Sequence, residues 1–180
     1  TFSRGSNATR VNSSGLIEDV LEVSDVELVT NGSFDTDSDW IKSSNVSITN
    51  GQATFTANGV AQSMIQGSLW LANSLSGQKM QLTYTVISNS LNASSFRVGG
   101  YTGASAFTLT NLPTTVGTHN VILDVTTSAG DDNAIDLYVT TAATSGALVI
   151  DNVSVKEVIS GSDLPRLDYS DSSCPSLLLE

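Results

Sequence analysis

The chain has one cysteine and one histidine in 180 residues. A lone Cys174 excludes an internal disulfide and argues against a cysteine-based zinc site. A lone His119 removes most of the common histidine-dependent catalytic and metal arrangements. Basic residues are scarce too: seven Lys and Arg stand against 18 Asp and Glu, a net charge of −11. A surface so acidic repels phosphate backbones, which argues against nucleic-acid binding, while it suits cation binding. No apolar run is long enough to span a bilayer, so membrane insertion is not expected. No signal peptide is evident, and the chain opens at Thr1 without Met, which reads as a fragment of a longer protein.

Helical periodicity is also missing; the patterning has period two. "MQLTYTV" sets Met80, Leu82, Tyr84 and Val86 against Gln81, Thr83 and Thr85, and "IDLYVT" sets Ile135, Leu137 and Val139 against Asp136, Tyr138 and Thr140. "SFRV" places Phe96 and Val98 opposite Arg97, and "NVILDVT" aligns Val121, Leu123 and Val125. "VSITNGQATFTA" reads as a hairpin whose Asn50-Gly51 turn suits backbone at positive φ. Turn signals recur at Asn31-Gly32, Asn58-Gly59, Ser76-Gly77, Gly99-Gly100, Gly130-Asp131 and Ser145-Gly146. "SMIQGSLWLANSLSG" is the exception, and reads as mainly strand. Short alternating strands with such punctuation predict an all-β antiparallel sandwich.

Three of the four arginines, Arg4, Arg10 and Arg166, lie outside residues 25–157, and Arg97 lies inside. This shift in composition divides the chain into a flank over 1–24, a central unit over 25–157 and a flank over 158–180.

The central unit opens with "ELVTNGSFDTDSDW" and closes with "VIDNVSV". In these two motifs, through Asn31, Gly32, Phe34, Asp35 and Trp40 and then Ile150 to Val155, it resembles the galactose-binding-like jelly-roll carbohydrate-binding modules. The resemblance implies a jelly-roll β-sandwich over about residues 27–157, with Trp40 packed in the core. The flanks, "FSRGSNATRVNSSGLIE" and "PRLDYSDSSCPSLLLE", resemble two halves of one continuous segment of bacteriophage tail and fibre-like virion proteins. That resemblance implies a jelly roll inserted into a phage structural module, and a surface-exposed place on a virion. Insertion suits a sandwich whose first and last strands are neighbours, because its ends then emerge together.

Asp151 falls in the same alternation as Val149, Val153 and Val155, which points a carboxylate into an apolar face. Such a group costs several kcal/mol unless a cation or hydrogen-bond donors satisfy it. In the resembled modules a structural calcium joins the first and last strands. Carried over by motif, this implies Asp151 and Asp35 as side-chain ligands, with main-chain oxygen near Ser33 contributing, in a shell of six to eight oxygens. The alternative is an Asp151 at the strand edge, capped by backbone N–H groups or paired with a lysine. "GDDNAID" lacks the spacing of an EF-hand loop and reads as a solvated turn.

A sugar site needs aromatic faces for pyranose C–H groups and planar polar side chains for hydroxyls. Two Trp, four Tyr and five Phe are the whole supply. Phe34, Phe55, Phe96 and Tyr84 alternate with aliphatics and read as core. Among the others, Trp70, Tyr101 and Tyr138, with Arg97 as the polar partner, are the candidate ligand-binding residues. Tyr138 and Arg97 point away from their strands' apolar sides and would line one face if those strands are neighbours. Each also has a plainer role, as a surface tyrosine, a solvated arginine or a cover for one end of the core.

No nucleophile elbow and no phosphate loop are present. His119 reads as a core-edge residue, and Asp124 and Asp136 are the carboxylates that candidate strands carry. The expectation is a non-catalytic carbohydrate-binding or adhesion module of a phage virion protein. Its partners would be glycans or other virion subunits, including further copies of itself. The competing expectation is a purely structural virion domain, a decoration or spacer without sugar binding.

Overall fold

The computed structural model describes residues 9–11, 17–19, 21–69, 77–93, 96–99, 106–125, 134–160, 166–168 and 176–178. In chain order the strands are β1 (Thr9–Val11), β2 (Ile17–Asp19), β3 (Leu21–Val23), β4 (Ile41–Lys42), β5 (Val46–Thr49), β6 (Gln52–Thr56), β7 (Gln62–Gln66) and β8 (Lys79–Asn89). They continue as β9 (Phe96–Val98), β10 (Thr110–Asn111), β11 (Gly117–Asp124), β12 (Ile135–Val139), β13 (Ala147–Ser160), β14 (Arg166–Asp168) and β15 (Ser176–Leu178). Among the described residues there is no helix.

Two compact units emerge, Asp25–Glu157 and the pair of segments Thr1–Ser24 with Val158–Glu180. In the second, β1 pairs antiparallel with β2, β14 with β15, and β3 with the far end of β13, where Val23 stands opposite Val158. The segments before and after the central unit therefore meet as neighbouring strands.

The central unit is an antiparallel jelly-roll β-sandwich. One sheet has the five-strand order β10-β9-β12-β7-β4, and the other runs β11-β8-β13-β6-β5. From β4 to β13 the chain changes sheets at almost every connection, with β5-β6 and β9-β10 kept together as hairpins. Alternation explains the layers. In β8, Met80, Leu82, Tyr84 and Val86 are buried while the residues between them are not. Phe96 bridges the sheets, packing edge-on against Phe55 at 5.6 Å and Tyr84 at 5.7 Å. The Tyr84 hydroxyl donates to the Pro113 carbonyl at 2.6 Å, and burial pushes its phenol pKa upward.

The Asn50-Gly51 turn closes the β5–β6 hairpin with both residues at positive φ, 53° and 71°, as a two-residue primed turn requires. The strand expected to begin at Ser63 is β7, and the later part of that stretch, residues 70–76, lies outside the described residues, as does the turn at Gly130-Asp131.

Candidate functional site

The opening loop is built by Asn31. Its backbone takes φ 53°, and its Nδ2 donates to the carbonyls of Thr36 at 2.8 Å and Ser38 at 3.1 Å. Its own carbonyl accepts the Trp40 indole N–H at 3.2 Å, and the Trp40 and Phe34 rings pack at 5.8 Å, so Trp40 is core as expected. Gly32 lies against the last strand, accepting the Val153 N–H at 2.9 Å.

Two polar side chains near this junction are not singled out by sequence pattern. Gln66, 5 % exposed, accepts the Thr30 N–H and donates to the Thr30 carbonyl, both at 2.7 Å, and also donates to the Asp39 carbonyl at 3.2 Å. It reads a loop backbone as a neighbouring strand would. Glu27 accepts the N–H groups of Leu28, Val29 and Val155 and the Ser154 hydroxyl, joining the entering chain to β13. The only sequence signal is a glutamine breaking the β7 pattern and a glutamate before an apolar pair; neither names its distant partner.

Asp151 does not point into the core. Leu148 and Ile150 are inward, and so are Val153 and Val155, which leaves two residues between the inward positions where a regular strand has one. Asn152, at φ 53°, is the extra residue of a bulge that reverses the alternation. Asp151 therefore shares the outer side with Val149, half-buried, and its Oδ1 accepts the Asn152 N–H at 2.6 Å. The burial cost that called for a cation is absent. Ser33 donates its hydroxyl to Asp35 Oδ2 at 2.7 Å, and both residues are exposed.

Ser33, Asp35 and Asp151 offer oxygen alone, from two segments that bond each other at Gly32 and Val153, and that donor chemistry fits calcium. Among the described residues no three His, Cys, Asp or Glu side chains gather, so main-chain oxygens would have to complete the shell.

Of the candidate sugar-binding residues, Trp70 and Tyr101 lie outside the described residues. Arg97 and Tyr138 are direct cross-strand partners in β9 and β12, on the outer side of the five-stranded sheet. The row extends to Asn111 on one side, whose Oδ1 accepts Arg97 Nε–H at 2.8 Å, and to Ser63 on the other. Arg97 is half-buried and Asn111 exposed. Tyr138 keeps the expected side but not the expected exposure: it is 6 % exposed, and Asp136 on the same side is fully buried. β12 is the central strand of its sheet, so neighbours crowd Tyr138 from both directions.

Among the described residues, His119, Asp124 and Asp136 lie apart from one another. His119 donates from Nε2 to the Thr115 carbonyl at 2.6 Å and rests 5.4 Å from the Tyr84 ring at the core edge. Asp124, opposite in alternation to buried Leu123, faces outward from one sheet and pairs with Lys79 at 2.5 Å. Asp136 faces outward from the other sheet, so these two carboxylates do not form the facing pair that glycoside hydrolysis uses.

No family model matches the chain, and no curated protein matches it. Solved structures do share its fold. One is an arabinose-bound α-L-arabinofuranosidase, MgGH51, at a TM-score of 0.51 and 16 % identity, over 73 % of this chain and 26 % of that one. The chain thus spans about a quarter of the arabinofuranosidase, and at that identity the likeness is one of fold.

Proposed function

We propose that residues 25–157 are a non-catalytic carbohydrate-binding module that attaches a phage virion protein to cell-surface glycans. The observation that carries this reading is the row Asn111–Arg97–Tyr138 on one sheet face. An exposed amide and a partly exposed guanidinium supply planar donors for vicinal hydroxyls, beside the edge of a held aromatic ring. The dispersed carboxylates and the engaged His119 support a binding role over a catalytic one. The phage-like flanks support the virion setting, where weak binding at each site gains strength from copy number.

The test is calorimetric titration of the whole chain with soluble arabinoxylan, arabinan and β-glucan. Arg97→Ala is expected to weaken binding about tenfold or more, the loss of one charged hydrogen bond. Binding that survives Arg97→Ala combined with Asn111→Ala would refute the site. Failure to bind any of the glycans would favour the second reading, a structural virion domain. The burial of Tyr138, Asp136 and Ser63 on that same face supports this second reading.

Calcium belongs to the proposal as a pin between the opening loop and β13, held by Asp35, Asp151 and oxygen at Ser33. It would supply electrostatic cross-linking and no chemistry. Excess EGTA is expected to lower Tm by several degrees, since a ligand at 100 times its Kd stabilises by about 2.7 kcal/mol. Asp151→Ala should abolish the difference. An identical Tm with calcium and with EGTA eliminates the ion.

A further inference from the structure

Four strands end the two sheets: β4 and β10 have two residues each, β5 has four and β11 has eight. Sheets protect their edges by keeping edge strands short or by placing Lys, Pro or a bulge there. β11 uses none of these. Its ladder with β8 runs without interruption from Gly117 opposite Val86 to Asp124 opposite Lys79, and its first charged residue is Asp124.

The hydrogen-bond phase shows which groups face outward. Just past the strand, Val125 N–H donates to the Gln78 carbonyl at 3.0 Å, so the odd-numbered residues exchange bonds with β8. Thr118, Asn120 and Ile122 then direct their N–H and C=O groups away from the sheet. Asp124 has the same phase, and its carbonyl accepts Thr108 N–H at 3.1 Å from that side. Among the described residues, none outside the ladder bonds the backbone of the other three.

The same edge is apolar. Ile122 is 36 % exposed, and Ile87 and Val116, one step beyond the end of the ladder, are 39 % and 71 % exposed. Leu109, next to Thr108, is 53 % exposed. These are half of the eight exposed large hydrophobic side chains among the described residues, two at the Gly117 end of β11 and two at its Asp124 end.

We propose that β11 pairs antiparallel with β11 of a second copy, making one continuous sheet across a two-fold axis. A second copy fits because the two-fold can preserve the side-chain pattern: centred on Asn120, it sets each Ile122 beside the other copy's Thr118 on one face of the joined sheet. It also fits the charge. In a chain of net charge −11, residues 117–123 carry none, so two copies meet there without opposing carboxylates. Asp124 stays outside the pairing, because residues 106–108 already run beside it, with Phe107 bridged to Val125. The pairing also doubles the number of outer faces presented to a ligand, independently of whether that ligand is a glycan.

Analytical ultracentrifugation of the whole chain from micromolar to millimolar concentration tests this, together with amide exchange at Thr118, Asn120 and Ile122. The expected result is a reversible dimer in which those three amides exchange more slowly as concentration rises. Ile122→Lys should weaken dimerisation about tenfold or more at unchanged Tm, and Asn120→Pro, which removes an outward N–H together with the hydrogen bond from Thr83, should weaken it as much. A dimer indifferent to both variants would overturn the proposal. So would a chain that stays monomeric with freely exchanging edge amides, which would leave the edge to an extended segment of a different polypeptide.

Discussion

Gly32→Ala is expected to lower the stability of the central unit by about 3 kcal/mol or more, a Tm loss of roughly 10 °C. A Cβ at Gly32 would stand 1.8 Å from the Val153 carbonyl oxygen and 3.0 Å from its carbon. Both obstacles are backbone of β13, so no rotamer change relieves the overlap. The loop must retreat, and retreat breaks the bond between the Gly32 carbonyl and the Val153 N–H. That bond is part of the junction that Glu27 and Gln66 also serve. Gly67→Ala is the control, because nothing lies within 4 Å of its added carbon. Thermal and urea unfolding of both variants give the comparison. If Gly32→Ala unfolds as the wild type does, the opening loop does not sit against β13.

Phe96→Ala should cost about 3–5 kcal/mol, the usual range for removing a buried phenylalanine. The ring is 1 % exposed and sits in β9, yet both of its aromatic partners, Phe55 and Tyr84, belong to the opposite sheet. Its loss therefore leaves a cavity between the layers, with rigid neighbours poorly placed to collapse into it. Phe96→Leu, which refills most of the volume, should cost about 1 kcal/mol. A loss below 1 kcal/mol for the alanine variant would mean that the two sheets do not meet at this cluster. Urea unfolding monitored by circular dichroism separates these outcomes.

The two variants depend on different kinds of information. Phe96 announces itself in the sequence, because it alternates with Arg97 and shares that alternation with Val98. Gly32 announces only a turn. That the turn would be pressed against a backbone about 120 residues away is a fact about β13 and its bulge, and local pattern does not carry it.

The candidate site divides in the same way. Alternation placed Arg97 and Tyr138 on the outer side of their strands, and the register between β9 and β12 brings them together. Alternation could not foresee that Tyr138 would be buried, because burial depends on what lies over a central strand. At Asp151 the alternation itself misled. Counting by twos from Val149 to Val155 assumes an unbroken strand, and one asparagine in left-handed backbone turns Val153 and Val155 to the side opposite Val149 and Asp151.

What the sequence determines by itself is local: the all-β class from period-two patterning, the Asn50-Gly51 hairpin from the conformational tolerance of its two residues, and the inward aromatics from their aliphatic neighbours. Tertiary structure alone decides which strands become neighbours, that Gln66 and Glu27 satisfy the backbone of the entering chain, that Asp151 turns outward and that, among the described residues, no strand pairs with the outer side of β11 from Thr118 to Ile122. The physical reason is range. Side-chain alternation and turn preference act between residues close along the chain, whereas burial, bulge position and edge exposure are set by contacts between segments far apart in sequence.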